Sequence, residues 1–244
     1  MPAQKGIAHI LLVALLGVGI LATVFFWPKE KGSHKTTFDN VAVDSGGCEE
    51  NINPTFERFP VDLEVVESVS PPIMQIADSP KSHSYINVTE TGPVYAPVDG
   101  VLVGGAKYEE NFLPNAPAEQ YTLLFSVTCE VSYYFDHLVN PPECIAALFP
   151  GEAQGHTSSN AKFSLPIKAG EIVGYSWHGQ FDFGVLNAGK PPTMANFPGF
   201  EMSEKAYADC PFDYFEEDIQ NFIKPISHYN NLGNDLVYTD NLCE

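Results

Sequence analysis

Basic residues are scarce in this chain. Across 244 residues Lys and Arg total 12 against 31 Asp and Glu, a formal net charge of −19. A surface that negative repels phosphate backbones and has no basic stripe to follow one, which excludes nucleic acid as a partner. None of the five cysteines (Cys48, Cys129, Cys144, Cys210 and Cys243) forms a Cys-x-x-Cys pair, so no zinc ribbon is encoded. No internal repeat occurs. Lys, Arg, Asp and Glu are missing altogether from Gly6 to Trp27, and no cysteine follows that run as a lipoprotein would require.

That uncharged run, at about 1.5 Å per residue in a helix, is long enough to cross a hydrocarbon layer of about 30 Å. It ends in Phe25-Phe26-Trp27, large side chains where a signal peptidase takes small ones. The reading is an uncleaved anchor, with Trp27 at the interface. Lys5 precedes the span and Lys29, Lys31 and Lys35 follow it, so flanking charge does not set the orientation. The short leading segment, the cysteines and the sequon Asn87-Val88-Thr89 favour a single-pass cell-membrane protein with its carboxy-terminal domain extracytoplasmic. In an oxidising compartment the expected bridge is Cys210 to Cys243, with Cys129 to Cys144 as the alternative.

Twenty prolines and nineteen glycines, with 44% hydrophobic residues, describe a folded chain of short strands and turns. Residues 1–28 form the anchor, 29–55 a polar linker, 56–200 a β-domain and 201–244 an acidic extension. Val61-Asp62-Leu63-Glu64-Val65 alternates as a half-buried strand does. Further strand-like runs are Pro93 to Val103, Tyr121 to Val131, Ser132 to Leu138, Phe163 to Ile167, Glu171 to Trp177 and Phe181 to Leu186. In the extension, Phe212, Phe215, Ile219, Phe222 and Ile223 recur at helical steps, predicting one amphipathic helix over about 211–224 that packs on the β-domain. The fold class expected is mainly β, a compact antiparallel sheet domain flanked by these two helices.

Three segments carry chemistry together. They are His83-Ser84-Tyr85-Ile86-Asn87 with Ala96-Pro97-Val98-Asp99-Gly100, then Tyr133-Tyr134-Phe135-Asp136-His137-Leu138, then Ala169-Gly170-Glu171-Ile172-Val173-Gly174 running into Gln180-Phe181-Asp182-Phe183. In this order and spacing they resemble the lysostaphin-like, or M23, zinc metallopeptidase domain over roughly Pro71 to Pro198. The resemblance implies a compact antiparallel β-fold with a groove across one sheet. It also implies that the first zinc-binding histidine falls on His83, the aspartate ligand on Asn87, the third ligand on Asp182, the general base on Gln180 and a transition-state histidine on His137. Two of those three ligand positions are changed, and the base is an amide.

A catalytic zinc needs three protein ligands and an open position. An amide oxygen is a poor ligand, and Gln180 has no useful basicity. No cofactor is therefore expected, loosely held zinc being the alternative. Tyr85, Tyr95, Tyr133, Tyr134 and Trp177 are candidates to rim a groove for a sugar or peptide chain. His178 lies four residues before Asp182, and His156 lies in a polar loop. The function expected is a membrane-anchored, catalytically inactive domain binding an envelope glycan or protein. One alternative is a zinc-dependent hydrolase whose metal is held by His83, Asp182 and His137. The other is a structural envelope component.

Overall fold

The computed structural model describes residues 48–72, 75–76, 79–109, 119–153, 163–177, 179–197, 203–230 and 236–238. The expected anchor lies outside them. Among the described residues no helix is long and apolar enough to cross a membrane.

The strands that frame the domain are β1 (Val66–Ser70), β2 (Ser84–Val88), β3 (Pro93–Tyr95), β4 (Gly100–Glu109), β5 (Glu119–Ser126), β6 (Val131–Leu138), β7 (Leu165–Ile167), β8 (Ile172–Tyr175), β9 (Gly179–Asn187) and β10 (Ala208–Asp209). One antiparallel sheet runs β1-β2-β9-β6-β5-β4-β7, with β10 paired to the far end of β9. Its buried face carries Leu123, Phe125, Tyr133, Phe135, Phe181 and Phe183, none of them accessible to solvent. Phe125 and Tyr133 stack at 4.6 Å, and Phe135 and Phe183 at 5.2 Å. Burying each such ring contributes about 1.5–3 kcal/mol, so this layer fixes the register of the central strands.

The Ala96–Gly100 and Ala169–Gly174 motifs clasp each other. Ala96 N–H donates to the Glu171 carbonyl at 2.9 Å, and Gly170 N–H to the Ala96 carbonyl at 2.9 Å. Asp99 accepts from the Ala169 N–H at 2.9 Å and from Lys168 Nζ at 2.5 Å. Gly170 has φ 81°, which favours glycine there. Both motifs therefore hold the β3–β8 ribbon.

Three sequence expectations are corrected. Val61 to Val65 is not a strand: Leu63–Val65 forms a 3₁₀ turn, and the strand starts at Val66. The carboxy-terminal helix is broken into a 3₁₀ turn Pro211–Tyr214, helix α1 at Glu217–Ile223 and a second 3₁₀ turn Lys224–Ile226. At the break, the Tyr214 carbonyl accepts the Phe56 N–H at 2.7 Å and the Phe215 ring packs edge-on to Phe56, so tertiary contacts override helical periodicity. Cys129 bonds Cys48 rather than Cys144, which is free and exposed. Cys210 is disulfide-bonded, and Cys243, its expected partner, lies outside the described residues.

Candidate functional site

Strand alternation sends Asp182 and Gln180 to the face opposite Phe181 and Phe183. The register then sets Asp182 directly across from Tyr85 on β2 and from Asp136 on β6, and Gln180 across from Asn87. A β-bulge completes the set. Tyr121 pairs Leu138 and Leu123 pairs Phe135, so Thr122 alone on β5 faces both Asp136 and His137 on β6. His137 takes up the extra residue with φ 63°. That left-handed conformation is uncommon for a residue with a Cβ, though histidine is among those enriched in it. Asp136 and His137 consequently sit on the same side of the sheet, while Leu138 returns to the core.

These side chains line a groove of about 580 Å³ together with Lys81, His83, Tyr85, Gln120 and Trp177. His83 Nε2 lies 3.1 Å from Asp182 Oδ2, and His137 Nε2 lies 3.8 Å from the same oxygen. Burial, then Lys205, lowers the His83 imidazole to about 3, so it is neutral. Burial, then the Asp136 charge, pushes the Asp182 carboxyl well above the usual range. His83 Nε2 and Asp182 Oδ1 are both buried without a hydrogen-bond partner.

The other nitrogens show how the rings are held. Tyr134 Oη donates to the Ser82 carbonyl at 3.1 Å and lies 3.4 Å from His83 Nδ1. His83 Nδ1–H pointing at that hydroxyl leaves Nε2 as a bare lone pair aimed at Asp182. His137 Nδ1 lies 2.7 Å from Gln120 Oε1, an acceptor, so His137 donates there and turns Nε2 toward Asp182. Asp136 Oδ1 accepts from Tyr108 Oη at 2.5 Å, Thr122 Oγ1 at 2.7 Å and the His137 N–H at 2.9 Å, which fixes that carboxylate. One donor atom from each of Asp136, His137 and Asp182 lies within 4.8 Å of the others. The Asp136 carboxylate and the raised Asp182 carboxyl face each other beside His137, with His83 Nε2 on the other side of Asp182. Such an arrangement is costly alone and fits a divalent cation.

Of the residues picked from sequence, His83, Asn87, His137, Gln180, Asp182, Tyr85 and Trp177 line the groove. Asn87 is turned away from any ligand role by donating to Ser68 Oγ at 2.9 Å. Tyr133 is not a rim residue: it is fully buried in the aromatic core. Tyr134 lies beneath His83, 5% exposed, as a support. Tyr95 stacks under Arg58 on the clasp, 3.6 Å from guanidinium to ring centre. His156 and His178 lie outside the described residues. Asp136, Gln120, Tyr108 and Lys81 went unnoticed in the sequence. The adjacent acid and imidazole of Asp136-His137 was the available signal.

Gly184 sits opposite Tyr134, and a Cβ there would lie 2.4 Å from the tyrosine ring. Gly184→Ala is therefore expected to displace Tyr134 and lower stability by about 1–3 kcal/mol, as overpacking does. Thermal unfolding measures this. Tyr134→Phe, which keeps the ring and loses only the hydroxyl, should cost less.

No protein-family model matches the chain, and no curated protein sequence does either. Among solved structures it is similar to a zinc-containing peptidase from Vibrio cholerae, with 17% identity over 57% of this chain and a TM-score of 0.29. The match spans 38% of that chain. It is also similar to the catalytic domain of the antimicrobial peptidase lysostaphin from Staphylococcus simulans, with 12% identity over 60% of this chain and 87% of the other, and a TM-score of 0.30. Likeness at this level leaves the groove to stand on its own geometry.

Proposed function

We propose that the groove is a divalent-metal site, zinc by its donors, on a degenerate lysostaphin-like domain that binds an envelope glycan or peptide outside the cytoplasm, anchored by the amino-terminal segment. The observation that carries the metal is the cluster of Asp136, His137 and Asp182 donors within 4.8 Å, with the unpartnered His83 Nε2 3.1 Å from Asp182 Oδ2. His83, Asp182 and His137 would hold the ion, with Asp136 beside them. Imidazole and carboxylate donors suit zinc better than calcium or magnesium, which take oxygen ligands. Sequence alone argued for no cofactor; the Asp136, His137 and Asp182 cluster, with His83 beside Asp182, argues for one. Zinc in such a site supplies a Lewis acid for a carbonyl or an acidified water. The chain's own residues do the rest: Tyr85, its hydroxyl raised to about 12, stays a neutral hydrogen-bond donor, and Trp177 offers an apolar face.

Metal analysis of the full-length chain tests this. Stoichiometric zinc is expected in the wild type and none in His83→Ala. A wild type that takes up no zinc after dialysis against it refutes the metal. Zinc affinity should also rise with pH. The raised Asp182 carboxyl must lose its proton to ligate, while His83, lowered to about 3, is already neutral. Titration calorimetry in buffers of differing ionisation enthalpy should register proton release on zinc binding.

Hydrolysis of the polymer is a second reading, favoured by Asp136. With four donors rather than three, one histidine is left to move a proton even though Gln180 cannot. Cleavage of glycine-rich peptides that His83→Ala abolishes would select it. Binding without cleavage selects the first.

A further inference from the structure

The two ends of the groove differ in chemistry. Its ionisable lining, from Lys81 and His83 to Asp136, His137 and Asp182, gathers at one of them. The other end is built on Asn87 and Gln180. These two stand directly opposite each other on β2 and β9, so their side chains leave the same face of the sheet with Cβ atoms about 5 Å apart. Tyr85 lies two residues before Asn87 on that face, and Trp177 lines the groove ahead of Gly179 and Gln180. No lysine, arginine or carboxylate is among the described lining residues at this end.

Facing amides on paired strands could satisfy each other, and these do not. Asn87 Nδ2 donates instead to Ser68 Oγ on β1 at 2.9 Å, and Ser68 is itself buried. That bond runs to the β1 side, which leaves the carbonyl oxygen at the opposite corner of the amide on the β9 side. Among the described residues Asn87 Oδ1 has no donor, and the Gln180 amide has no partner of either kind. Both side chains are half-buried in the groove wall rather than sealed in the core. An acceptor fixed by Ser68 and an amide free to donate thus face the same space. One ligand group answers both at once: a secondary amide, its N–H to Asn87 Oδ1 and its C=O to Gln180 Nε2.

Secondary amides occur in peptides and in N-acetylated sugars, and the surroundings favour the sugar. Strands β2 and β9 are inner strands, each paired on both sides, so no sheet edge is open here for an extended peptide to pair with. Recognition falls to side chains: the two amides, and the rings of Trp177 and Tyr85 for the C–H face of a sugar ring. We propose that Asn87 and Gln180 form an acetamido subsite, so that the polymer bound in the groove is a neutral glycan of N-acetylated sugars. The proposal rests on the reading of the groove as a binding site for an envelope polymer, and it requires no metal.

The test is calorimetric titration of the full-length chain with three probes, with zinc content measured on the same samples. They are tri-N-acetylchitotriose, cellotriose, which has hydroxyls in place of the acetamido groups, and N-acetyl-triglycine amide, which has the amides and no ring. The acetylated trimer should bind roughly tenfold more tightly than cellotriose, about what two neutral hydrogen bonds contribute. Gln180→Met keeps the length of the side chain and removes one of the two bonds, so the preference should fall to roughly threefold. Asn87→Leu/Gln180→Met should bind both sugars equally, with cellotriose affinity unchanged. The double variant also loses the bond to Ser68, so the single variant, whose side chain has no partner to lose, guards against misfolding as the cause. Equal binding of the two sugars by the wild type overturns the subsite, and so does a tenfold preference that survives in Gln180→Met. Binding of the peptide without the trimer overturns the sugar and leaves the groove a polymer site. Binding of none of the three overturns both. Sugar preference without zinc supports the subsite and sinks only the metal.

Discussion

Replacing Asp182 with asparagine makes the metal-free protein more stable at neutral pH and abolishes its uptake of zinc. Asp182 is 2% exposed, faces Asp136 across the strand pair, and has one oxygen with no donor. Burial first, and the Asp136 charge second, raise its carboxyl. The folded protein thus holds this proton at a pH where the unfolded chain, with an ordinary carboxyl near about 3.9, has released it. Against a side chain that is neutral throughout, the wild type is level below the unfolded value. It loses stability as pH rises toward the folded value, and above that the deficit is constant. The asparagine variant removes the deficit. The gain should be on the order of 1–3 kcal/mol, at about 1.4 kcal/mol for each pH unit by which folding raises the carboxyl. For a chain of this size that is roughly 2–12 °C in Tm. Thermal unfolding with chelator at pH 3 and pH 8 checks it. The curves should coincide at the lower pH and separate at the higher. A variant less stable than the wild type at pH 8 would show that Asp182 is a structural carboxylate with a partner of its own.

Cys48→Ser/Cys129→Ser should lower stability by about 2–4 kcal/mol, or roughly 5–15 °C, and leave zinc content unchanged. The bridge joins residues 81 apart in sequence, so it removes much freedom from the unfolded chain. It also anchors a strap. Cys129 N–H donates to the Glu49 carbonyl at 3.0 Å, Thr128 Oγ1 to the Asn51 carbonyl at 2.8 Å, and Asn187 Nδ2 to the Ile52 carbonyl at 2.7 Å. This strap grips the β5–β6 turn, about 17 Å along the strand from Asp136. Denaturant unfolding and metal analysis of one preparation separate the two effects. Zinc lost along with stability would mean that the strap shapes the groove. Replacing both cysteines avoids a free thiol that could pair with exposed Cys144.

The β-rich character was legible because alternation is a local signal. Phe181-Asp182-Phe183 declares which face its carboxylate takes, and the structure puts the two rings in the core and the acid in the groove. The same rule denies a shared face to Tyr133 and Tyr134, adjacent residues on one strand, yet an aromatic cluster invites a binding role for both. Asp136 stayed hidden because a bulge does not alter composition or period. Only pairing with β5 shows that two residues stand opposite one. Cys48 and Cys129 could not be matched, since which cysteines meet depends on where Asn51 and Thr128 dock. The break at Phe215 has the same origin: the helical period is present, and Phe56, more than 150 residues earlier, overrules it.

The bulge opposite Thr122 also makes the site sensitive to the number of residues in β6. Substitutions there would trade one side chain for another in place. Losing a single residue between Phe135 and Leu138 would restore even alternation and leave one groove-facing position where there are now two. Gaining one would push Leu138 out of the core, where it is wholly buried. Either change shifts the frame of every later side chain on the strand relative to the sheet. Among related sequences that keep this groove, insertions and deletions should be tolerated in the turn at Val127 to Glu130 and be absent from Phe135 to Leu138, even where the identities of Asp136 and His137 have drifted.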